Sequence, residues 1–332
     1  MADTDLPPAG LTWGEYVERW VADCGGWVPL ADRLIHRAGD SFEIAQDPQT
    51  VERGLRRLAR RHHKPGGQYG RWMLRLLGFT APIEQFVKWM GIYHTRFADL
   101  PSGLRLQHLA LWNRPPVTES SLACWIELGI ASAHYSRLDL TACEHWLARA
   151  ERRGAAAGIE ALLELGLVRA QLDSELGRHD AARERHAIVG AQLADAALPN
   201  NFAASYRARL HHQRASLLTT PPDGGAPNID GARALYEAIP ESQVPFVRFR
   251  KLVGLAYCAW KSGRLDEAIA LATEAGEAAG DGGLVRMRVM ALNMLSRLVT
   301  GERAAKVRAR ARGMAAALED EDLMRRVAAT TS

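Results

Sequence analysis

Eight cationic side chains crowd one short stretch of this 332-residue chain: Arg53, Arg56, Arg57, Arg60, Arg61, Lys64, Arg71 and Arg75. Glu52 is the one acid between residues 51 and 75, so the stretch carries +7 while the whole chain carries +4. Clustered guanidinium and ammonium groups neutralise phosphates. Short polar side chains beside them, here Gln49 and Thr50, have the donors and acceptors that read base edges. The chemistry on offer is nucleic-acid contact through Gln49, Thr50, Arg53, Arg56, Arg57, Arg60, Lys64 and Arg71. The alternative is a solvated basic helix, or one docked on an acidic patch of the same protein.

Other reactive-looking residues lack the company that chemistry needs. Gly39-Asp40-Ser41 echoes the start of a GDS-type esterase motif, but no strand pattern precedes it and no partnered His loop follows. No GxxxxGK[ST] loop, dinucleotide-type glycine fingerprint or HExxH helix occurs. His62-His63 and His211-His212 are adjacent pairs whose members point in different helical directions, which makes joint chelation awkward. Cys24, Cys124, Cys143 and Cys258 lie far apart without a CxxC pair, so they read as small core residues. No catalytic residue, metal or cofactor is expected. The chain reads as non-enzymatic, with an enzyme of unrecognised motif as an alternative.

The basic residues need a helix to hold them, and its start is legible. Asp47 suits an N-cap, Pro48 the first helical position, and Val51, Leu55 and Leu58 share one apolar face with the cations on the flank and far side. Lys64-Pro65-Gly66-Gly67 ends that element, and a second short helix carries Trp72, Leu76 and Leu77 with Arg71 and Arg75. The arrangement resembles the second helix of a helix-turn-helix. Leu30-Ala31 precedes Thr50-Val51 by twenty residues, so Asp40–Asp47 forms an extended connector in place of a tight turn. Upstream, Thr12 suits an N-cap, and Trp13, Tyr16, Val17, Trp20 and Cys24 fall at helical spacing as a core stripe.

The second half has another rhythm. Gly263-Arg264-Leu265-Asp266-Glu267-Ala268, then Ala272 and Ala275, follow a helix containing Leu255, Ala256 and Tyr257. Further units read Ala170, Gly177, Ala182, then Ala232, Tyr236, Ile239, Pro240, and more weakly Cys143, Leu147, Ala150. Small residues at 143, 182, 232 and 268 mark helix crossings, and Thr219–Asn228 lengthens one interval because its prolines and glycines cannot continue a helix. Over roughly residues 120–318 the pattern resembles tetratricopeptide (TPR) repeats, whose regular period is about 34 residues. A bundle of unrelated helical hairpins is the alternative. The resemblance implies a groove lined by Trp125, Leu128, Ser132, Tyr135, Leu167, Gln171, Arg250, Val253, Tyr257, Trp260 and Lys261 that takes a protein or peptide partner. Only Arg250 and Lys261 match positions where some members clamp a terminal carboxylate.

The fold expected is all-α: a Trp-rich helical domain over 1–80 with the basic helix, connecting helices over 81–119, and TPR-like hairpins with a capping helix over 120–332. Eight of nine tryptophans lie in the first 146 residues, and alanine dominates later, so two kinds of core are implied. No apolar leader and no 18-residue uncharged apolar run is present, so a soluble, cytoplasmic protein without membrane contact is expected. Two functions follow: an interaction module that is also a DNA-binding transcriptional regulator with a TPR sensor, or a scaffold subunit that never touches nucleic acid. The regulator would need a second copy, a homodimer, for half-site binding.

Overall fold

The computed structural model describes residues 10–39, 42–220 and 225–329. Among them the chain is all-α, with seventeen α-helices and no strand. It forms two compact units interleaved in sequence: Met1–Gly91 with Leu106–Glu127, and Ile92–Arg105 with Leu128–Ser332.

The first unit contains α1 (Trp13–Cys24), α2 (Trp27–Ala38), α3 (Pro48–Ala59), α4 (Gly67–Leu76) and α5 (Ala81–Gly91). The division between units falls inside α6 (Ser102–Trp112) and α7 (Ala123–Ser136). A capping box starts α1: Thr12 Oγ1 accepts from the Glu15 N–H at 3.2 Å, and Glu15 Oε2 accepts from the Thr12 N–H at 2.7 Å. Trp13, Tyr16, Val17 and Trp20 are buried, as their spacing predicts, and Cys24 is half-buried. The polar tips of these aromatics all meet backbone carbonyls. Trp13 Nε1 donates to Lys64 O at 3.0 Å, Tyr16 OH to Gly78 O at 2.6 Å and Trp20 Nε1 to the same oxygen at 3.2 Å.

The second unit continues with α8 (Leu140–Ala157), α9 (Ile159–Glu175), α10 (His179–Asp195), α11 (Asn200–Thr219), α12 (Ile229–Glu237), α13 (Pro245–Lys261), α14 (Leu265–Asp281), α15 (Val285–Leu298), α16 (Gly301–Ala317) and α17 (Glu321–Ala328). From α8 onward each helix packs on the next, and α9, α11, α13, α15 and α17 also pack on one another in succession. Odd-numbered helices therefore make one continuous face in a solenoid-like stack. The small residues at 143, 182, 232 and 268 sit on α8, α10, α12 and α14, and all four are fully buried.

The turns explain how the stack stays tight. At Gly263 the backbone takes a φ of +78°, the Arg264 N–H reaches back to Ala259 O at 2.9 Å and the Gly263 N–H reaches Trp260 O at 3.0 Å. This closes α13 with a left-handed glycine and sends the chain back as α14. Gly177 and Gly283 repeat the same turn after α9 and α14. Across α13 and α14, Phe246, Phe249 and Val253 pack against Ala268, Ala272, Ala275 and Ala279, so large side chains from one helix fill the shallow surface of the other. The Thr219–Asn228 connector lies between α11 and α12, with Pro221–Gly224 outside the described residues. Its end is pinned where the Asn228 side chain accepts from the Gly231 N–H at 2.8 Å.

Segment 92–105 belongs to the second unit and runs along its odd-numbered face. The Tyr93 N–H donates to Glu164 on α9 at 3.3 Å, Asp99 accepts from the Arg286 N–H on α15 at 2.8 Å, and the Ser102 N–H donates to Leu318 O at 3.0 Å. Part of the face that the TPR resemblance leaves for a partner is thus covered by the chain itself.

Candidate functional site

Two groups of residues stand out, one in each unit. In the first unit, α3 begins where the sequence predicts. Asp47 accepts from the Gln49 and Thr50 N–H groups at 3.3 and 3.0 Å, and Thr50 Oγ1 donates to the same carboxylate at 2.6 Å. The Thr50 hydroxyl foremost, then those amides and Arg53, hold the Asp47 carboxyl below the usual range. Val51, Leu55 and Leu58 are buried, which turns the cationic side outward.

The cations divide by what they touch. Arg53 donates to Gln49 O at 3.3 Å and to Thr50 Oγ1 at 3.1 Å. Arg56 pairs with Glu52 at 2.8 Å and lies 4.4 Å over the Trp27 ring. Arg57, Arg60, Lys64 and Arg71 are exposed and make no ion pair among the described residues. Gln49 is exposed, while Thr50 is half-buried with its hydroxyl committed to the cap. Asp40 and Ser41 of the Gly39-Asp40-Ser41 sequence lie outside the described residues.

In the second unit, α7, α9, α11, α13, α15 and α17 converge with Tyr93 around a cavity of about 90 Å³. Four arginines line it, Arg209, Arg250, Arg286 and Arg326. Arg209 is paired with Glu164 at 2.5 Å, Arg286 with Asp320 at 2.9 Å and Arg326 with Asp322 at 2.9 Å. Arg250 has no carboxylate. It is only 3% exposed, its Nη2 donates to Tyr93 OH at 3.3 Å, and its Nε and Nη1 have no hydrogen-bond partner. Arg286 Nη1 is likewise buried without a partner.

Tyr93 sits among these cations, with the guanidinium carbons of Arg209, Arg286 and Arg250 at 4.4, 5.1 and 6.0 Å from its ring centre. Burial raises its phenol pKa, but Arg286, Arg250 and Arg209 outweigh that and bring it below the ordinary value. Burial lowers the Arg250 pKa, and Tyr93 partly restores it. His94 packs against Tyr206 and Phe246, and burial, reinforced by Arg209 and Arg250, pushes its pKa down to about 3. On the opposite wall Gln171 donates to Tyr135 OH at 3.1 Å, and Gln213 donates to Leu167 O at 3.0 Å.

The predicted groove residues have separate placements. Tyr135, Gln171 and Arg250 line this cavity with Ser132. Val253 and Tyr257 line an adjoining cavity of about 310 Å³, which shares His212, Ser216, Met290, Leu323 and Arg326 with the first. Leu128 and Leu167 are fully buried. Trp260 is half-buried against the α13–α14–α15 core, and exposed Lys261 holds its ammonium 4.3 Å over that indole. Trp125 is fully buried in the first unit, because the division between units falls within α7 after Glu127. His211 and His212 diverge as helix geometry requires, and His212 turns inward, 3.1 Å from Tyr236 OH.

Sequence patterning pointed to Arg250 but missed Tyr93, Arg209, Arg286 and the acids around them. A signal was present. Phe246, Phe249, Arg250 and Val253 share one apolar helical face, and a lone arginine on such a stripe marks a buried polar site. No cluster of His, Cys, Asp or Glu able to hold a metal ion occurs among the described residues, and no helix there is long and apolar enough to cross a membrane. No family model matches the chain, and no similar curated protein or solved structure was found for it.

Proposed function

We propose that this chain is a non-enzymatic, TPR-like interaction protein that also contacts duplex DNA: a cytoplasmic regulator whose second unit senses a protein or peptide partner and whose basic segment, from α3 through the following turn into α4, meets phosphates. The observation that carries the DNA contact is the set of exposed cations Arg57, Arg60, Lys64 and Arg71, none ion-paired among the described residues. An unpaired surface cation loses nothing internal when it meets a phosphate, whereas Arg56 must give up Glu52. Partner contact in the second unit falls to Tyr257, Trp260 and Lys261, where an aromatic pair carries an exposed cation.

Fluorescence anisotropy of the full chain with labelled duplex DNA tests the proposal. With about four phosphate contacts, log K against log salt should fall with a slope of roughly −3.6, and replacing Arg57 and Arg60 by Ala should make it shallower by about two. Gln49→Ala should relax sequence preference without changing the slope. Absence of binding at about 50 mM salt refutes DNA contact.

The scaffold reading has its own support in the use of Thr50 and Arg53 within the α3 cap, which leaves Gln49 as the one uncommitted candidate base reader. Absence of duplex binding at about 50 mM salt would favour it, whereas equal binding to all sequences with no effect of Gln49→Ala would mean DNA contact through phosphates alone.

A further inference from the structure

Within the second unit the cavity at Arg250 poses an electrostatic problem. A guanidinium removed from water needs a counter-charge and acceptors for its N–H groups, or it destabilises the fold. Arg209, Arg286 and Arg326 each have a carboxylate, but Arg250 has one phenol at 3.3 Å and two unsatisfied nitrogens, although it is 97% removed from solvent at 3% exposure. Arg286 adds a third unsatisfied nitrogen on the same wall.

We propose that this cavity is a binding site for a small organic oxyanion, a carboxylate or a phosphomonoester, whose charged group is taken by the guanidinium groups of Arg250 and Arg286. Guanidinium groups present their donors as a planar fork that matches such oxygens. The space of about 90 Å³ admits a compact charged group and excludes an extended peptide. Ser132, Ser216 and Gln213 supply neutral polar atoms around it. The body of the ligand continues into the adjoining cavity of about 310 Å³, where Tyr236, Val253, Tyr257, Met290, Met294 and Val327 offer an aromatic and aliphatic wall. The occupant is therefore an anion carrying an apolar or aromatic body. This inference does not depend on DNA contact by the first unit, so either can fail alone.

Thermal unfolding and isothermal titration on the full chain, at fixed ionic strength, test it with four probes: benzoate, phenyl phosphate, inorganic phosphate and the neutral benzyl alcohol. Saturable binding and a rise in Tm are expected with benzoate or phenyl phosphate, weaker binding with inorganic phosphate, and none with benzyl alcohol. Whichever of the first two binds more tightly identifies the oxyanion. Arg250→Met, which keeps the bulk and removes the charge, should weaken binding by about 10- to 100-fold, the equivalent of one charge-assisted hydrogen bond of roughly 1.5–3 kcal/mol. Should Arg250→Met fail to fold, the wild-type comparison between charged and neutral probes still decides. Equal responses to benzoate and benzyl alcohol, or no response to any anion, overturn the proposal. So does a tyrosinate absorbance near 295 nm at neutral pH that no anion alters, because Tyr93 would then itself be the permanent counter-charge.

Discussion

Gly254→Ala, a change of one methyl group, should destabilise the second unit. Gly254 lies within α13, directly against the flat ring of Tyr236 from α12, and a Cβ there would stand 2.1 Å from Cε1, 2.2 Å from Cδ1 and 2.3 Å from Cζ. Ordinary contact begins at 3.4 Å, so the ring would have to recede by well over 1 Å. Tyr236 is 4% exposed and its hydroxyl lies 3.1 Å from His212 Nδ1, so it cannot recede without disturbing both the core and that hydrogen bond. Overpacking costs about 1–3 kcal/mol and the hydrogen bond about 1 kcal/mol. Alanine's better helix propensity returns roughly 1 kcal/mol. The net loss should be about 1–3 kcal/mol, a fall in Tm of roughly 2–12 °C for a unit of this size. Gly276→Ala on neighbouring α14 is the control, because its Cβ would meet Ala291 Cβ at an ordinary 3.7 Å. That variant should be stabilised by up to about 1 kcal/mol. Urea unfolding of both proteins, with Gly254→Ala repeated in a Tyr236→Ala background, isolates the ring contact. If Gly254→Ala is as stable as Gly276→Ala, or its cost survives removal of Tyr236, the proposed packing of α12 on α13 is wrong.

Two further outcomes follow from backbone and charge. Gly263→Ala should lose about 1 kcal/mol although a Cβ there meets nothing within 4 Å, because the left-handed φ of +78° alone is unfavourable to alanine. An unchanged midpoint in chemical denaturation would mean that the α13–α14 turn relaxes out of that conformation. His94 is held neutral in the folded protein, with a pKa of about 3 against an ordinary 6.5. Its folded value is depressed, so the unfolded chain binds the extra proton and stability falls as pH drops through the window from 6.5 towards 3. Between pH 7.5 and 5.0 the wild type should lose about 2 kcal/mol more than His94→Phe. Parallel pH profiles for the two proteins would contradict the neutral, buried histidine.

The helices themselves were legible because their signals are local. Asp47-Pro48 and Thr12 start α3 and α1 through contacts within four residues, and Gly177, Gly263 and Gly283 stop helices through a backbone conformation that glycine adopts readily. The buried small residues Cys143, Ala182, Ala232 and Ala268 were readable for a related reason: close helix crossings need small side chains whichever partner lies opposite. The basic stretch and its apolar face could also be read from periodicity alone, as Val51, Leu55 and Leu58 confirm by their burial.

What sequence order could not reveal is which distant residues meet. The two units interleave at 92–105 and within α7, an arrangement set by long-range packing, and no composition shift marks it. Tyr93 and Arg250 are separated by 157 positions and Asp99 and Arg286 by 187, yet both pairs hydrogen-bond on the odd-numbered face of the second unit. Charge counting treats Arg209, Arg250, Arg286 and Arg326 alike, since each is one cation in a helical sequence. Asp322 and Arg326 are four residues apart on α17 and could pair by helix geometry alone. Only the folded stack assigns Glu164 to Arg209 and Asp320 to Arg286 and leaves Arg250 on the cavity wall with no carboxylate of its own, because burial and long-range pairing are properties of the tertiary neighbourhood.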